Sequence, residues 1–384
     1  MRKKYSLGIL LSILLIITSG FAQNYNPVID TVHVAQVAGT FLVDIRYTVS
    51  DTVSGGDNDT LIVYCHVSND SGKTFVVPAR TFTGEYGFNI QPGINKHITW
   101  DAGKDFPEQF GTKFRVKLTA SDLNLSKIVT VKADTFSMGD SESWPDQYPQ
   151  HIVDLNEFDI APFAVTNSEY KIFCDMTNRS YPLEGGANQP PLGHFLNYPN
   201  NPVVMVSWFD AVRYCNWLSV QKGFSACYDT ANWSFDPSKN GFHLPTEAQW
   251  ERAARGNLAR KTYPWGNDSP GNRCNYRDYD GDLVSSMPNF LNGRGTVPVG
   301  KFSTNGLGLY DMAGNVFEWC NDWYSNNYYE NQTSGQNPYG PTSGINRVVR
   351  AGSWNQIAFH IRCATWNSLA PSTKNYETGF RIAR

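Results

Sequence analysis

The chain has 384 residues, of which 41% are hydrophobic, 14% aromatic and 17% charged. At about 100–200 residues per domain it holds two domains with real cores and is not a disordered chain. Net charge is −3, and no Lys/Arg-rich stripe follows the first four residues, so the electrostatic footprint of a nucleic-acid binder is missing. Met1-Arg2-Lys3-Lys4 precedes an apolar run from Leu7 to Ile17 and then Thr18-Ser19-Gly20-Phe21-Ala22. That is the layout of a secretory signal over residues 1–22, cut after Ala22, and it predicts a secreted, periplasmic or cell-surface protein. No later segment reaches the roughly 18 uninterrupted apolar residues of a spanning helix, so no membrane span is expected after cleavage. Without Arg2, Lys3 and Lys4 the chain carries 29 basic against 35 acidic residues, or −6. No Cys lies near the cut to carry a lipid anchor.

Residues 24–122 read as short strands divided by turns. Phe41–Val49 places Val43, Ile45, Tyr47 and Val49 on one face, Leu61–Val67 is a second strand, and Lys113–Ala120 alternates polar with apolar residues. Turn signals such as Gly55–Asp59 and Asn69–Gly72 lie between them and no helical period appears. The expectation is an immunoglobulin-like β-sandwich. Asp57-Asn58-Asp59 offers the hard oxygens that calcium takes, but a solvated hairpin turn explains it better. Residues 123–127 serve as a short linker.

From residue 128 the pattern changes to a mixed α+β, loop-rich domain. Three helix starts carry capping boxes, in which a hydroxyl and an acid or amide three residues on close the first turn reciprocally: Thr166 with Glu169, Ser207 with Asp210, and Thr246 with Gln249. Helices are predicted over Tyr170–Met176, Ala211–Val220 and Trp250–Arg255, all short. The rest is rich in Gly, Asn, Pro and aromatic residues, so its loops need buried Trp and Tyr, or metal ions, to hold them. Seven Cys (65, 174, 215, 227, 274, 320, 363) form no C-x-x-C, and the odd count leaves at least one unpaired within the chain. The seven His show no i, i+4 pair, so a His-rich zinc or iron site has no local support. Ser207, Ser353 and the His residues lack the context of a Ser-His nucleophile. Core packing accounts for most of Trp319, Trp323, Tyr324, Tyr328, Tyr329, Trp354 and Trp366, with stacking on a sugar or aromatic ligand as the other reading.

Several islands in this half are more specific than composition. They include Phe136-Ser137-Met138-Gly139, Pro162–Tyr170, Pro202–Ala211, Leu244-Pro245-Thr246-Glu247-Ala248-Gln249-Trp250-Glu251, Tyr263-Pro264-Trp265-Gly266-Asn267, Gly306–Trp319, Arg350-Ala351-Gly352-Ser353-Trp354 and Gly379-Phe380-Arg381. In this order and spacing residues 128–384 resemble the formylglycine-generating enzyme, or sulfatase-modifying factor, family. The resemblance implies a compact C-type-lectin-like fold of low regular content. In active members a copper-dependent oxidase turns the Cys of a Cys-x-Pro-x-Arg sequence into formylglycine, with two Cys binding Cu(I), for which thiolate is the preferred soft ligand.

Carried over residue by residue, those two positions hold Gln356 and Ala358, in a segment about three residues shorter than in active members. No catalytic residue is therefore assigned, and copper is not expected. Cys363 matches a neighbouring structural Cys. The family's structural disulfides match only at Cys215 and Cys363, whose partner positions hold Ile382 and Ala254; pairings of Cys215 with Cys227 or Cys320 with Cys363, and buried free thiols, stay open. One family calcium site maps onto Asp311, Gly314, Val316 and Glu318. A second maps onto Asn275 and Tyr276, while its later ligand positions fall on Leu291 and Gly293. Asp278–Asp282 resembles a calcium loop but has Asn289 where an EF-hand needs Glu, and a polar turn is the better reading.

The expected function is an exported, calcium-stabilised binding or scaffold module. Its ligand surface is the former substrate groove under Gly352–Cys363, with Phe317, Ser353, Trp354 and His360, and its ligand an exported protein, a peptide or a glycan. The alternative is an enzyme: formylglycine-type oxidation through a displaced thiol such as Cys363 or Cys320, or a related oxidation with iron. Relatives of the iron kind take His ligands from an additional helical domain, which this sequence does not show. A structural cell-envelope or adhesion component fits the same layout.

Overall fold

The computed structural model describes residues 27–384 except 52–60, 74, 76, 78, 108–112, 122–126, 141–148, 187–189, 191–192, 278–294 and 332–333. The segment expected to be a secretion signal, most of the expected linker, the acidic stretches 57–59 and 278–282, Asn289, Leu291 and Gly293 lie outside the described residues. The described part divides into two compact units, one of residues 1–124 with 172–180 and the other of 125–171 with 181–384.

The first unit contains β1 (Val28–Gln36), β2 (Leu42–Ser50), β3 (Leu61–Ser68), β4 (Phe82–Gly84), β5 (Gly87–Ile90), β6 (Gly93–Asp101), the single turn α1 (Ala102–Asp105) and β7 (Arg115–Ser121). They pair antiparallel in two sheets, β1-β2-β6-β4 and β5-β3-β7. The alternation in β2 sends Ile45, Tyr47 and Val49 inward, where they join Val63, Cys65 and Val67 of β3, Ile98 and Trp100 of β6 and Leu118 of β7 in one cluster. The two sheets therefore share a core. The strand predicted over 113–120 begins two residues later, and Leu118 is its one fully buried side chain. Burial of the large Trp100 requires a partner for its ring N–H, which donates to Asp105 Oδ2 at 2.8 Å.

The second unit is built from short pieces: β8 (Val129–Val131), β9 (Asp134–Met138), β10 (His151–Leu155), β11 (Phe158–Ile160), the first turn of α2 (Asn167–Thr177, of which residues 167–171 belong to this unit), α3 (His194–Asn197), α4 (Trp208–Gln221), β12 (Tyr228–Asp229), β13 (Ser234–Phe235), α5 (Glu247–Arg255), β14 (Phe317–Trp323), α6 (Tyr328–Asn331), β15 (Ser334–Gln336), β16 (Arg347–Arg350), β17 (Asn367–Leu369) and β18 (Thr378–Gly379). The three capping boxes form. Ser207 and Thr246 each accept from the backbone three residues on while Asp210 and Gln249 return the bond, and Thr166 N–H donates to Glu169 Oε2 at 2.7 Å. Satisfying the orphan amides in this way starts each helix three residues earlier than its apolar pattern alone indicates.

The main sheet runs β17-β16-β14-β18, with β14 antiparallel to β16 and parallel to β18. Phe317 to Asp322 are all buried, so this strand carries no alternation. Tryptophan N–H groups tie the surrounding loops to it: Trp208 Nε1 donates to Cys320 O and Trp319 Nε1 to Val206 O, both at 3.0 Å. Residues 378–384 thread through the interior. Thr378 and Gly379 pair with Phe317 and Glu318, Ala383 bridges both Ile160 and His243, and Arg381 is fully buried. All seven cysteines are buried free thiols, and Ala254 and Ile382 lie in the core.

Two buried ionic groups organise this unit. Glu318 receives a two-pronged guanidinium from Arg381, Nε to Oε2 at 2.6 Å and Nη2 to Oε1 at 2.7 Å. On α5, Glu251 accepts from Arg255 Nη2 at 2.6 Å and Arg350 Nη2 at 2.5 Å, and Glu247 accepts from Arg350 Nη1 at 3.1 Å. Ion pairs this deep persist because each charge is met by a fitted partner and most of the remaining donors reach backbone carbonyls, as Arg381 does on Ala161 O and Tyr310 O, although Arg350 Nε is buried without a partner among the described residues.

Candidate functional site

The stretch from Gly352 begins with a forced turn. Gly352 has φ of 69°, and a Cβ there would stand 2.6 Å from Ile361 Cγ2 and 2.7 Å from His360 O, so only glycine lets the two strands of the loop approach. The turn brings Ser353, Asn355 and Gln356 onto one carboxylate. Ser353 Oγ donates to Glu377 Oε2 at 2.5 Å, Asn355 Nδ2 to Oε1 at 3.1 Å and Gln356 Nε2 to Oε2 at 3.2 Å. Glu377 in turn is fixed through its backbone, its N–H donating to Asn375 Oδ1 and its carbonyl accepting from Phe317 N–H. Sequence reasoning missed Glu377, because nothing local marks a lone acid as the hub of a loop that starts 24 residues earlier.

Gln356 is half-buried and its carbonyl accepts from Arg277 N–H at 2.8 Å. Ala358 opens a single 3-10 turn over Ala358–Ile361 and packs against Tyr263, Cys274, Tyr276, Ala313 and Ile361. Of the residues expected to form a ligand surface, Phe317, Ser353 and Trp354 are buried behind it, while His360 is exposed. Trp354 is held from the inside, its Nε1 donating to Tyr376 O at 3.3 Å. The side chains that reach solvent here belong to Asn355, Gln356, Ile357, Ala358, Phe359, His360 and Glu377. Partial burial and the nearby charges of Arg362 and Arg277 hold His360 below the usual imidazole range.

Neither Gln356 nor Ala358 supplies a soft ligand, so the bis-thiolate donor set that Cu(I) takes does not fit these positions. The thiol that shares an apolar cluster with Ala358 is Cys274, 3% exposed and raised well above the usual thiol range by burial. Cys363 is pushed up to about 12 by burial, and its carbonyl accepts from Arg350 Nη2 at 2.6 Å. Cys320 is raised by burial in β14 and by the Asp322 charge. These thiols lack the exposed, electropositive setting that makes a cysteine reactive.

The residues mapped to calcium divide. Asp311 has φ of 53° and its Oδ2 accepts from Gly300 N–H at 2.9 Å; burial pushes its carboxyl up to about 6. A buried carboxylate with one donor on it is a fitting hard-oxygen ligand. Glu318 is not free for that role in the way the motif suggests: Arg381 holds both of its oxygens, and Trp250 Nε1 adds a third donor at 2.6 Å. A cation would share Glu318 with Arg381 and draw mainly on Asp311 and the carbonyls of Gly314 and Val316. Gly314, at φ of 76°, faces Asn275 so closely that a Cβ would stand 2.3 Å from Asn275 O. Asn275 gives its Nδ2 to Gly295 O at 2.9 Å and Asn315 Oδ1 at 3.2 Å, tying two loops together. Tyr276 is buried in the cluster around Cys274. Among the described residues no three His, Cys, Asp or Glu side chains converge as a metal set.

Fold and site together define a strand-dominated α/β domain with few helices, organised by buried Arg–carboxylate pairs and carrying a carboxamide and a methyl group at the mouth of its Gly-Ser-Trp turn. The chain belongs to the FGE-sulfatase family, the sulfatase-modifying factor enzyme 1-like domain, whose model matches residues 114–384. It is 30% identical to the formylglycine-generating enzyme of Mus musculus over 68% of this chain and 76% of that protein. To the enzyme of Thermomonospora curvata it is also 30% identical, over 67% of this chain and 92% of that protein. It is 31% identical to the serine/threonine-protein kinase pkn1 of Chlamydia pneumoniae over 68% of this chain, and spans only 38% of that protein's length. Among solved structures, Treponema denticola variable protein 1 superposes with a TM-score of 0.54 at 27% identity, over 67% of this chain and 94% of that one. PvdO from Pseudomonas aeruginosa gives 0.54 at 24% identity, over 68% and 95%, a likeness of fold alone.

Proposed function

We propose that this chain is a non-catalytic member of its family, an exported binding or scaffold module whose ligand surface is the exposed rim formed by Asn355, Gln356, Phe359, His360 and Glu377. The observation that carries the reading is the chemistry at positions 356 and 358. A carboxamide held on Glu377 and an apolar methyl replace the thiols on which the copper chemistry depends. The ligand is a peptide or glycan presented outside the cell. The two sheets of the first unit form an immunoglobulin-like β-sandwich that carries or spaces this module. A calcium ion held by Asp311, the carbonyls of Gly314 and Val316, and a shared Glu318 stabilises the loop below the site.

The test is mass spectrometry of a Cys-x-Pro-x-Arg peptide incubated with the protein, copper, oxygen and a thiol reductant, beside the mouse enzyme as positive control. No conversion in this protein and conversion by the control is the expected result. An aldehyde product would overturn the reading and favour the enzyme alternative; Cys274, beside Ala358, is then the first thiol to replace, ahead of Cys363 and Cys320.

A further inference from the structure

Two of the buried thiols are brought to the same place by the packing of the β12–β13 hairpin on α4. Cys215 lies in the middle of α4, and Cys227 leads directly into β12. Their chain neighbours are clamped to each other: Asn216 Nδ2 donates to Tyr228 O at 2.7 Å, and Tyr228 N–H donates back to Asn216 Oδ1 at 3.1 Å. A carboxamide that satisfies both backbone groups of one residue holds that residue a side chain's length from the helix, and the residue before it follows at one Cα step. The register of the hairpin on the helix is therefore set at the two positions next to the cysteines.

The two side chains meet the same short segment. Ser219 stands one helical turn beyond Cys215, on the same face of α4; its Oγ donates to Cys215 O and accepts from Phe242 N–H, both at 2.7 Å. A Cβ on Gly241 would stand 2.6 Å from that Oγ, so residues 241–242 lie against the Cys215 face of the helix. Cys227 Sγ donates to the carbonyl of the same Gly241 at 3.3 Å. Cys215 is fully buried and Cys227 is 1% exposed. Burial pushes the Cys227 thiol up to about 11 and the Cys215 thiol well above the usual range, and the Cys227 charge adds to the rise at Cys215. The S–H···O contact to Gly241 is a weak one and does not hold Cys227 against a stronger partner.

We propose that Cys215 and Cys227 are a disulfide-forming pair, joined as the chain folds in the presence of a small-molecule disulfide, and that the bond staples the β12–β13 hairpin to α4. The pairing is this chain's own, since the family position that would partner Cys215 holds Ile382. The Cys227 thiolate attacks one sulfur of the oxidant and releases its first half as a thiol; the Cys215 thiolate then attacks the mixed disulfide at the Cys227 sulfur and releases the second half. Two protein thiols are oxidised, one external disulfide is reduced to two thiols, and the two protons pass to them. Burial keeps reagents from both sulfurs once the unit is complete, so the bond forms while the hairpin docks and not afterwards. It shortens the freedom of the unfolded chain between α4 and β12, which is how such a bond stabilises. The inference concerns the scaffold and does not depend on whether the rim around Gln356 is catalytic.

The experiment refolds the full chain from urea with oxidised or with reduced glutathione, unfolds it again in iodoacetamide, and maps the cysteines by mass spectrometry. Expected from the oxidised sample is alkylation of five of the seven cysteines and one cross-linked peptide pair holding Cys215 and Cys227, while the reduced sample is alkylated at all seven. Cys227→Ser should return Cys215 to the alkylated set, and Cys320→Ser should leave the cross-link in place. Seven alkylations in the oxidised sample, glutathione retained on Cys215 or Cys227, or a cross-link between any other two cysteines overturns the proposal. The same mapping on the full chain directed to the bacterial periplasm decides the case in which refolding from urea fails, and a chain recovered there without the Cys215–Cys227 cross-link overturns the proposal as well.

Discussion

Replacing Glu251 by Gln tests whether the second unit depends on its buried ion network. Glu251 is fully buried and accepts four bonds: from Gly139 N–H at 2.8 Å, from Arg255 Nε and Nη2 at 2.9 and 2.6 Å, and from Arg350 Nη2 at 2.5 Å. Glutamine keeps the shape and one acceptor oxygen but strips the counter-charge from two buried guanidinium groups. Removing one partner of a buried pair costs about 3–5 kcal/mol, most of it the penalty on the charge left behind. In a unit of this size each kcal/mol moves the thermal midpoint by about 2–4 °C, so the expected loss is about 6–20 °C. The assay is calorimetry or circular dichroism melting, with Lys132→Ala as control. Lys132 pairs with Glu157 at 2.7 Å on the open surface, and its loss should leave the midpoint unmoved. The arginines hold Glu251 below the ordinary carboxylate range. Its stabilisation is therefore complete above the unfolded value and fades as pH falls through the folded one, so wild type and variant converge in acid. A midpoint within about 2 °C of wild type at neutral pH would refute the argument that this network holds the unit together.

Asp322 has the opposite sign. Its folded-state value is raised from the ordinary 3.8 to about 8, so its contribution is complete below the unfolded value and is lost as pH rises from there to about 8; Asp322→Asn should flatten that decline in urea titrations at several pH values across this range. Gly352→Ala forces a Cβ onto His360 O in a left-handed conformation and should cost about 2–3 kcal/mol in urea unfolding. Calcium at millimolar concentration should raise the melting midpoint, chelator should reverse it, and Asp311→Asn should remove the response; a shift that survives in that variant places the ion elsewhere. Glu318→Ala is the poorer probe, because it also leaves Arg381 buried without its partner.

What could be read from the sequence was local. The capping boxes at Ser207 and Thr246 join residues three apart and formed as read, and the alternation in β2 predicted the inward face of that strand. The site was legible in its motif and not in its partners. Glu318 lies in a loop motif associated with calcium, but the guanidinium that occupies it comes from Arg381, 63 residues later. Phe317, Ser353 and Trp354 carry no mark of which side of the turn they face, and all three turned inward. The proximity of Cys274 to Ala358, and of Arg350 to an acid 103 residues before it, arises only when the loops close.

The threading of residues 378–384 through the second unit has a consequence in time. A ribosome delivers β11, the His243 loop and β14 long before the segment that pairs with each of them. Until Gly379 to Ala383 are made, Glu318 has no Arg381 to neutralise it, and the apolar sides of these elements stay open to water and to other chains. Completion of this core therefore waits for these residues. A nascent chain stopped before Gly379 is a better target for chaperones and proteases than the finished one.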